Sequence, residues 1–315
     1  MFRQRRKAAT PLNVMVVGRE GVGKSTFLRT LLASLALNGK VDPAKATPVP
    51  VSTETRIKVH LPVEVDVNGH KIALTLIDTP GLPYSAEQGN ELATVMGYIE
   101  SQFETSLVEE LKVKRNPKSA DTMVHAILYL LPPMLPFHPV DLSAIRTLSM
   151  RANVIPLLGH ADSITNRQLE NLKTSLYKTL QETLDLLSFA TADIDGDGVI
   201  EDDEEEEFSR EIVKLKAAMP YTVIGAEFPL PGQKTTSEFL EIDGKKVLGR
   251  EYKWGVVNVD DEQHCELHLA KYLMFEFALP GLRAFTRHVL YEKYRTERLM
   301  AHANSGKGAE QAREE

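Results

Sequence analysis

Hydrophobic positions along this chain follow two alternating patterns. Continuous apolar runs, typical of strands buried on both faces of a sheet, occupy residues 13–17, 123–131 and 154–158. Segments with helix-forming composition lie between and after them, at residues 27–37, 91–111, 140–150, 166–187 and 208–218. Because strands and helices alternate, the pattern predicts an α/β fold with a doubly wound, mostly parallel sheet. Ligands of such folds bind at the carboxyl ends of the strands.

A β-hairpin is predicted between the first two helices. Residues 51–67 alternate between apolar and polar positions like an edge strand, Asn68-Gly69 favours a two-residue turn, and residues 71–77 return. The preceding stretch, residues 39–51, contains three prolines and shows no period, so we expect a loop there.

The carboxyl-terminal third is predicted to be a mixture of short elements. We expect a central strand at residues 221–224, a polar excursion at 229–244 and two short strands within 247–259. Two helices follow, and Gly281 is predicted to separate them. They occupy residues 262–277 and 282–299.

A phosphate-binding turn is predicted where the first strand meets the first helix. Residues 18–26 have the sequence GREGVGKST, which fits the pattern G-x-x-x-x-G-K-S/T between a strand and a helix. Its glycines can adopt backbone angles that let successive N–H groups converge on an anionic oxygen at a helix amino terminus. Lys24 is expected to neutralise the β- and γ-phosphates, and Ser25 to bind a Mg²⁺ ion.

Two further polar segments lie at predicted carboxyl ends of strands. The hairpin ends in Asp78-Thr79-Pro80-Gly81, where Asp78 could hold Mg²⁺ through water and the Gly81 N–H could face a γ-phosphate. The run at residues 154–158 leads to Asp162. Its carboxylate can accept hydrogen bonds from N1–H and N2–H of guanine, and adenine has no matching donor pair. A helix N-cap is the alternative role for Asp162.

Composition limits the function classes. The chain has 315 residues and one cysteine, Cys265, which excludes an intrachain disulfide framework and favours a reducing compartment. No apolar run is long enough to cross a bilayer and no secretory signal is present, so we expect a soluble intracellular protein. The net charge of −7 is concentrated in residues 193–207, which carry about ten acidic groups, while the remainder carries about +3.

This acidic segment also fits the twelve-residue EF-hand pattern. Gly198 falls at the sharp turn of the pattern, and a predicted helix lies on each side. A plain solvated acidic loop is the alternative, because such hands usually occur in pairs. The possible Ca²⁺ ligands are Asp193, Asp195, Asp197, the Val199 carbonyl, Glu201 and Glu204.

Nine stretches of the chain together match one known family. In chain order they are GREGVGKST at Gly18, DTPG at Asp78, KVKRNP at Lys112, VHAILYLLPP at Val124, PVDLSAI at Pro139, NVIPLLGHADSIT at Asn153, PYTVIGAE at Pro220, VLGREYKWGVVNVDDEQHC at Val247 and LYEKYRTERL at Leu290. On these stretches the chain resembles the septins, which are filament-forming GTP-binding proteins. The last two belong to the region that distinguishes septins from other P-loop GTPases.

The resemblance implies a domain organisation. A P-loop GTPase domain would cover residues 13–299, with an acidic insert at 190–210 and the septin unique element at about 247–299. A basic arm, residues 1–12, would precede the domain. The tail at residues 300–315 is predicted to be disordered, and it is too short for coiled-coil heptads.

The resemblance also assigns roles that the spacing alone does not. Gly225 and Arg250 match positions at which septins contact guanine, and Arg250 could lay its guanidinium over the base. Thr55 matches the switch threonine that ligates Mg²⁺ and orients the attacking water, with Thr53 as the fallback; both could instead be solvent-facing strand residues. Catalytic roles fall to Lys24, Thr55 and Gly81, and Mg²⁺ to Ser25 and Thr55. The implied nucleotide-binding residues are Gly21, Val22, Gly23, Lys24, Ser25, Thr26, Asp78, Gly81, His160, Asp162, Gly225 and Arg250.

Some positions depart from the septin pattern. His160 replaces a lysine whose aliphatic stem packs on guanine in septins, so we expect the stacking to weaken or to pass to Arg250. Leu135 stands where septins place a histidine that reaches the nucleotide of the neighbouring subunit, and His138 is too displaced to be assumed a substitute. Trp254 either anchors a subunit interface or is a core residue.

The resemblance finally implies a function. It predicts a GTP- or GDP-binding protein that requires Mg²⁺, hydrolyses GTP slowly to GDP and phosphate, and assembles with itself or other septins into dimers or filaments of the cytoskeleton that serve cell division. Contact with an anionic membrane surface could come from Arg3, Arg5, Arg6 and Lys7, unless they form only a solvated arm. No nucleic-acid partner is expected. The alternatives are a soluble Ca²⁺-responsive GTPase switch that does not polymerise and a nucleotide-locked, catalytically dead subunit.

Overall fold

The computed structural model describes nine stretches of the chain. They are residues 9–37, 48–50, 56–60, 62–83, 90–112, 120–181, 202–228, 239–242 and 245–301. In these stretches, no helix combines the length and the apolar character needed to cross a bilayer.

The strands are named in chain order. They are β1 (Thr10–Gly18), β2 (Pro48–Pro50), β3 (Lys58–His60), β4 (Val63–Val67), β5 (His70–Asp78), β6 (Ala126–Leu131), β7 (Asn153–Leu158), β8 (Tyr221–Thr222), β9 (Leu240–Ile242), β10 (Lys245–Val247), β11 (Gly249–Tyr252) and β12 (Gly255–Asn258). The last four strands form two separate antiparallel hairpins, β9 with β10 and β11 with β12.

The helices flank the sheet. They are α1 (Lys24–Leu37), α2 (Asn90–Leu111), α3 (Pro139–Ser149), α4 (Asn166–Gln181), α5 (Asp202–Ala218), α6 (Leu267–Tyr272) and α7 (Leu279–Phe285). Two π-helical turns, Leu273–Phe277 and Thr286–Tyr291, follow α6 and α7, and a last helical stretch covers residues 292–301.

A mostly parallel sheet lies at the centre, as the alternating pattern predicts. Its strand order is β2-β3-β5-β1-β6-β7-β8, and β4 pairs with β5 beside β3. The five strands from β5 to β8 in this order are parallel, while β2, β3 and β4 form an antiparallel extension. All six residues of β6 and of β7 are buried, which explains why their sequences are continuous apolar runs. The predicted doubly wound α/β fold is confirmed.

The hairpin prediction is confirmed in its second half and corrected in its first. β4 and β5 pair across the turn at Asn68-Gly69, with Val67 opposite His70. The predicted continuous strand is instead divided into β3 and β4, which both pair with β5. Pro48–Pro50, predicted as loop, forms β2 at the outer edge of the sheet, where proline is tolerated because that edge needs no N–H donors.

Two predictions in the carboxyl-terminal third are wrong. Tyr221–Thr222 is at the edge of the described sheet rather than in its centre, and α6 packs on it. Val223 and Ile224, predicted as part of the same strand, are buried but lie outside it. Periodicity cannot distinguish burial by a strand from burial by a helix. Gly281 lies inside α7 rather than between two helices. The helices are separated at Ala278, since Pro280 fits into the first turn of α7 and does not interrupt it. The polar excursion also contains the β9–β10 hairpin.

Candidate functional site

The predicted phosphate-binding turn lies between β1 and α1. Gly21 and Gly23 have φ angles of 79° and 86°, in the left-handed region that side chains with a Cβ disfavour. The first helical hydrogen bond follows at once, with the Phe27 N–H donating to the Gly23 carbonyl at 2.8 Å. The helix begins at Lys24 rather than at residue 27. The free N–H groups of its first turn therefore face the cavity into which the loop opens.

The Lys24 side chain lies across its own loop. Its ammonium donates to the carbonyl oxygens of Gly18 at 3.0 Å and Arg19 at 2.8 Å, and the residue is only 7% exposed. Burial lowers the pKa of Lys24, while the carboxylates of Asp78 and Glu20 oppose that shift. The cation is thus held in place before any ligand arrives.

Ser25 and Asp78, the two described residues predicted to hold Mg²⁺, are in direct contact. The Ser25 hydroxyl donates to Asp78 Oδ2 at 2.6 Å, and Asp78 Oδ1 is buried without a hydrogen-bond partner in the described structure. A hydroxyl beside a carboxylate with an unused oxygen is a hard-oxygen donor set that suits Mg²⁺. The residues present therefore fit the metal that the phosphate-binding turn implies.

The segment from Asp78 to Gly81 is fixed against the phosphate-binding turn. Leu82 donates its N–H to the Gly18 carbonyl at 3.1 Å and accepts from the Glu20 N–H at 3.3 Å. A Cβ added at Gly81 would lie 2.5 Å from the Glu20 Cα, so only glycine permits this approach. Thr79 adds a hydrogen bond of 2.7 Å to the carbonyl of Val16.

These segments enclose a cavity of about 750 Å³. Its walls contain the predicted phosphate-side residues together with two cations from the β3 side. Val22 is absent from the wall because its side chain is 6% exposed and packs in the core, which leaves only its backbone available to a ligand. The lining residues are Glu20, Gly21, Gly23, Lys24, Ser25, Thr26, Arg56, Lys58, Asp78, Thr79, Pro80 and Gly81.

The predicted base-side residues gather beside this cavity. His160 has a φ of 52°, and a Cβ on Gly23 would lie 3.7 Å from its Nε2, so the imidazole borders the phosphate-binding turn. Gly225 lies against Thr26, since a Cβ there would be 3.0 Å from the threonine Cγ2 and 3.9 Å from Arg250 Nη2. Residues from three distant segments therefore converge next to the start of α1.

Asp162 is arranged as a receptor for hydrogen-bond donors. It lies in the 3₁₀ turn Ala161–Ser163, and its side chain is only 4% exposed. Its Oδ2 accepts from the Tyr252 hydroxyl and lies 3.5 Å from Arg250 Nη1. Its Oδ1 is buried with no partner in the described structure. A buried carboxylate oxygen without a donor is costly unless a ligand supplies one.

The alternative role of Asp162 as a helix N-cap is wrong. α4 begins at Asn166 and is capped by Thr165, whose Oγ1 accepts from the Gln168 N–H at 3.4 Å. The Gln168 side chain in turn accepts from the Thr165 N–H at 3.0 Å. Asp162 lies before this capping box and is free to face a ligand.

Three features of the site were missed by sequence reasoning. Tyr252 reaches Asp162; its spacing of two from Arg250 on one strand was the available signal. Arg56 and Lys58, which line the cavity, flank the buried Ile57. The alternation of charged and apolar residues was only a weak indication that both cations share one face of a strand.

The third missed feature is a buried ion pair behind the phosphate-binding turn. Arg19 Nη2 is 2.8 Å from Asp141 Oδ2, and both side chains are 2% exposed. Arg19 Nε donates to Asp141 Oδ1 at 3.0 Å, and the Tyr129 hydroxyl donates to the same oxygen at 2.9 Å. Arg19 and Asp141 are 122 positions apart, so no local pattern could join them.

The structure locates three side chains that the sequence analysis singled out for subunit contacts. Trp254 is 80% exposed and stacks on Tyr252 with ring centroids 4.8 Å apart, so the core alternative is wrong. His138 caps α3 by accepting from the Val140 N–H at 3.3 Å. Leu135 is exposed.

Other predicted residues lie outside the described stretches. These are Thr53 and Thr55, the basic residues Arg3, Arg5, Arg6 and Lys7, and the EF-hand positions Asp193, Asp195, Asp197, Val199 and Glu201. Glu204 falls in the first turn of α5, where only the backbone is described.

Comparisons with known proteins agree with this geometry. The family model described as Septin matches residues 8–308. Septin homolog spn3 of Schizosaccharomyces pombe is 32% identical over 300 residues, covering 93% of this chain and 74% of the relative. Neuronal-specific septin-3 of Danio rerio is 30% identical, covering 95% and 77%. Septin-9 of Mus musculus is 29% identical, and the chain spans 48% of its length.

Solved structures show the same fold. The septin GTPase domain of Chlamydomonas reinhardtii superposes with a TM-score of 0.62 at 21% identity, covering 92% of this chain and all of that one. Cdc11 of Saccharomyces cerevisiae superposes with a TM-score of 0.52 at 24% identity, covering 91% and 99%. None of these comparisons supports the Ca²⁺-responsive alternative.

Proposed function

The chain belongs to the septin family of GTP-binding proteins, and we propose that it binds GTP and GDP at the site between β1 and α1. The observation that carries this proposal is the position of Asp162. Asp162 follows closely after His160, which borders the phosphate-binding turn, and its Oδ1 is buried without a partner among the described residues. A carboxylate in that position selects guanine over adenine, because guanine alone presents two adjacent donors.

We propose that GTP hydrolysis at this site is slow. Lys24 and the N–H groups of Gly23 and Gly81 are available to stabilise charge that develops on the transferred phosphate. Mg²⁺ would be held by Ser25 and, through water, by Asp78, and would supply neutralisation of phosphate charge. The described part of the cavity wall contains no glutamine to orient a water molecule. Thr55 remains our proposal for that role.

Assembly through the nucleotide side is the proposed output of binding. Septins form oligomers with other septins, and here the exposed Trp254 stacks on Tyr252, whose hydroxyl contacts Asp162. An exposed tryptophan is the kind of side chain that anchors protein interfaces. Because it is joined to Asp162 through one tyrosine, the state of the base pocket can influence the interface. Association with membranes through the basic arm is a further proposal, and it would place the filaments at the membrane surface.

Nucleotide extraction tests the proposal directly. Protein purified without added nucleotide is denatured with acid, and the released GTP, GDP, ATP and ADP are quantified by chromatography. We expect about one guanine nucleotide per chain, and its loss in Lys24→Ala, since a cation–phosphate contact contributes about 1.5–3 kcal/mol. Lys214→Ala, on the exposed surface of α5, is the matched control. Retention of guanine nucleotide by Lys24→Ala, or a preference for adenine nucleotide, would contradict the proposal.

A further inference from the structure

Arg56 and Lys58 form a second group of cations in the phosphate cavity. Both side chains are exposed, and both line the cavity with Lys24 and Ser25. Within the described residues neither is engaged in an ion pair. Both side chains are therefore available to a ligand in full, while Lys24, whose ammonium donates to two carbonyl oxygens, has one donor left for a phosphate.

The sheet topology explains why these two residues reach the cavity. β3 runs antiparallel to β5, with Lys58 opposite Asp78. Because Asp78 ends β5 at the ligand-binding edge of the sheet, β3 begins at that same edge. Ile57 between the two cations is completely buried and anchors the segment. Arg56 has a φ of 52°, a strained angle for a residue with a side chain, and such strain is often found at functional positions.

The charge of the cavity wall indicates a role for Arg56 and Lys58 in binding phosphate. Asp78 is needed for the metal, but Glu20 brings a second carboxylate to the end of the cavity where Gly81 packs. Before a metal ion binds, the two carboxylates outnumber the one ammonium of Lys24, so the wall without Arg56 and Lys58 would carry a net negative charge. Arg56 and Lys58 reverse this balance on the side where β5 ends.

We propose that Arg56, assisted by Lys58, recognises the γ-phosphate and so distinguishes GTP from GDP. The inference rests on the proposed function, because it assigns one phosphate of the nucleotide that this site binds. A planar guanidinium can donate two parallel hydrogen bonds to phosphate oxygens, which an ammonium cannot. The groups of the phosphate-binding turn would contact phosphates that both nucleotides share as well as the γ-phosphate, so their loss should weaken both nucleotides. Arg56 and Lys58 would contact only the phosphate that GTP alone has.

Differential binding of GTPγS and GDP tests this inference. Protein freed of nucleotide with EDTA is titrated with each ligand in Mg²⁺ by calorimetry. We expect Arg56→Ala to weaken GTPγS about 10-fold while GDP changes less than about twofold, as for loss of one charge-assisted hydrogen-bonded contact. Arg56→Lys should retain part of the preference, and Lys58→Ala should lose less than Arg56→Ala. Lys71→Ala, an exposed lysine on β5, is the control.

The outcomes separate the two proposals. Equal weakening of both nucleotides by Arg56→Ala, or no change in either, overturns the γ-phosphate inference and leaves guanine binding intact. If the unsubstituted chain binds neither GTPγS nor GDP, the proposed function fails and this inference fails with it. Circular dichroism melting verifies that each variant is folded, and Arg56→Gln replaces the alanine variant if the latter melts early.

Discussion

The phosphate end and the base end of the site are constructed differently. The phosphate end comes mostly from one continuous segment between β1 and α1, joined by the end of β5. The base end is assembled from three separate places, with Asp162 after β7, Gly225 after β8 and Arg250 on β11. A continuous segment can carry its own geometry, whereas separate segments are positioned only by the completed fold.

The two ends also differ in how firmly their side chains are held. Lys24 donates to its own loop, and Arg19 ties that loop to Asp141 on α3. At the base end, Asp162 has one buried oxygen without a partner in the described part of the chain, and the other is engaged by Tyr252. We therefore expect loss of the buried pair behind the phosphate-binding turn to destabilise the fold, and substitutions at the base end to change which ligand binds.

The largest effect is expected from Asp141→Ala. The substitution leaves the Arg19 guanidinium buried without its carboxylate and removes the acceptor of the Tyr129 hydroxyl. Breaking a buried pair in this way costs about 3–5 kcal/mol of the free energy of unfolding. Urea denaturation followed by circular dichroism measures the loss.

A double variant tells whether charge is the cause. Arg19→Met with Asp141→Leu removes both charges, and we expect it to recover most of the lost stability. Glu64→Ala, in an exposed pair with Lys71, is the control and should change stability by less than about 1 kcal/mol. Equal instability of the single and double variants would show that packing, rather than the buried charge, controls this region.

The same division explains what the sequence could predict. Gly21, Gly23 and Lys24 are recognisable because the phosphate-binding motif is contiguous in the sequence. The turn, the strand before it and the helix after it could all be predicted. Asp162 was found from its place after a buried run. The partners Tyr252 and Asp141 were missed because they are 90 and 122 positions from the residues they contact. Their contacts exist only after the sheet has formed.

A specificity change is expected from Asp162→Asn at the base end. Asparagine has an NH₂ group in place of one carboxylate oxygen. The variant therefore loses one hydrogen bond to guanine and places its own donor against the 2-amino group of the base. We expect GDP affinity to fall about 10- to 100-fold, because a hydrogen bond to a charged group contributes about 1.5–3 kcal/mol. Xanthosine diphosphate has a carbonyl in place of the guanine 2-amino group, and it should bind the variant more tightly than it binds the unsubstituted chain. Competition titration against GDP measures both.

The matched control for that exchange is Asp261→Asn on the exposed surface. It should leave both affinities unchanged. Unchanged GDP affinity in Asp162→Asn would contradict the assignment of this carboxylate to guanine. It would also remove the contrast between the two ends of the site.

The smallest effect, and the sharpest test of the contrast, is expected from Tyr252→Phe. The Tyr252 hydroxyl donates to Asp162 Oδ2, and guanine must compete with it for the carboxylate. Burial, and after it the hydrogen bond to Asp162, raise the pKa of Tyr252, so the hydroxyl stays protonated and keeps donating at neutral pH. Phenylalanine preserves the ring that stacks on Trp254 but frees the acceptor. We expect calorimetric titration to show GDP affinity rising about two- to tenfold, the equivalent of about 0.5–1.5 kcal/mol for one hydrogen bond.

Tyr177→Phe on α4 is the control and should leave GDP affinity unchanged. A fall in affinity for Tyr252→Phe would mean that the hydroxyl holds the nucleotide rather than competing with it, and the base end would then be as preorganised as the phosphate end.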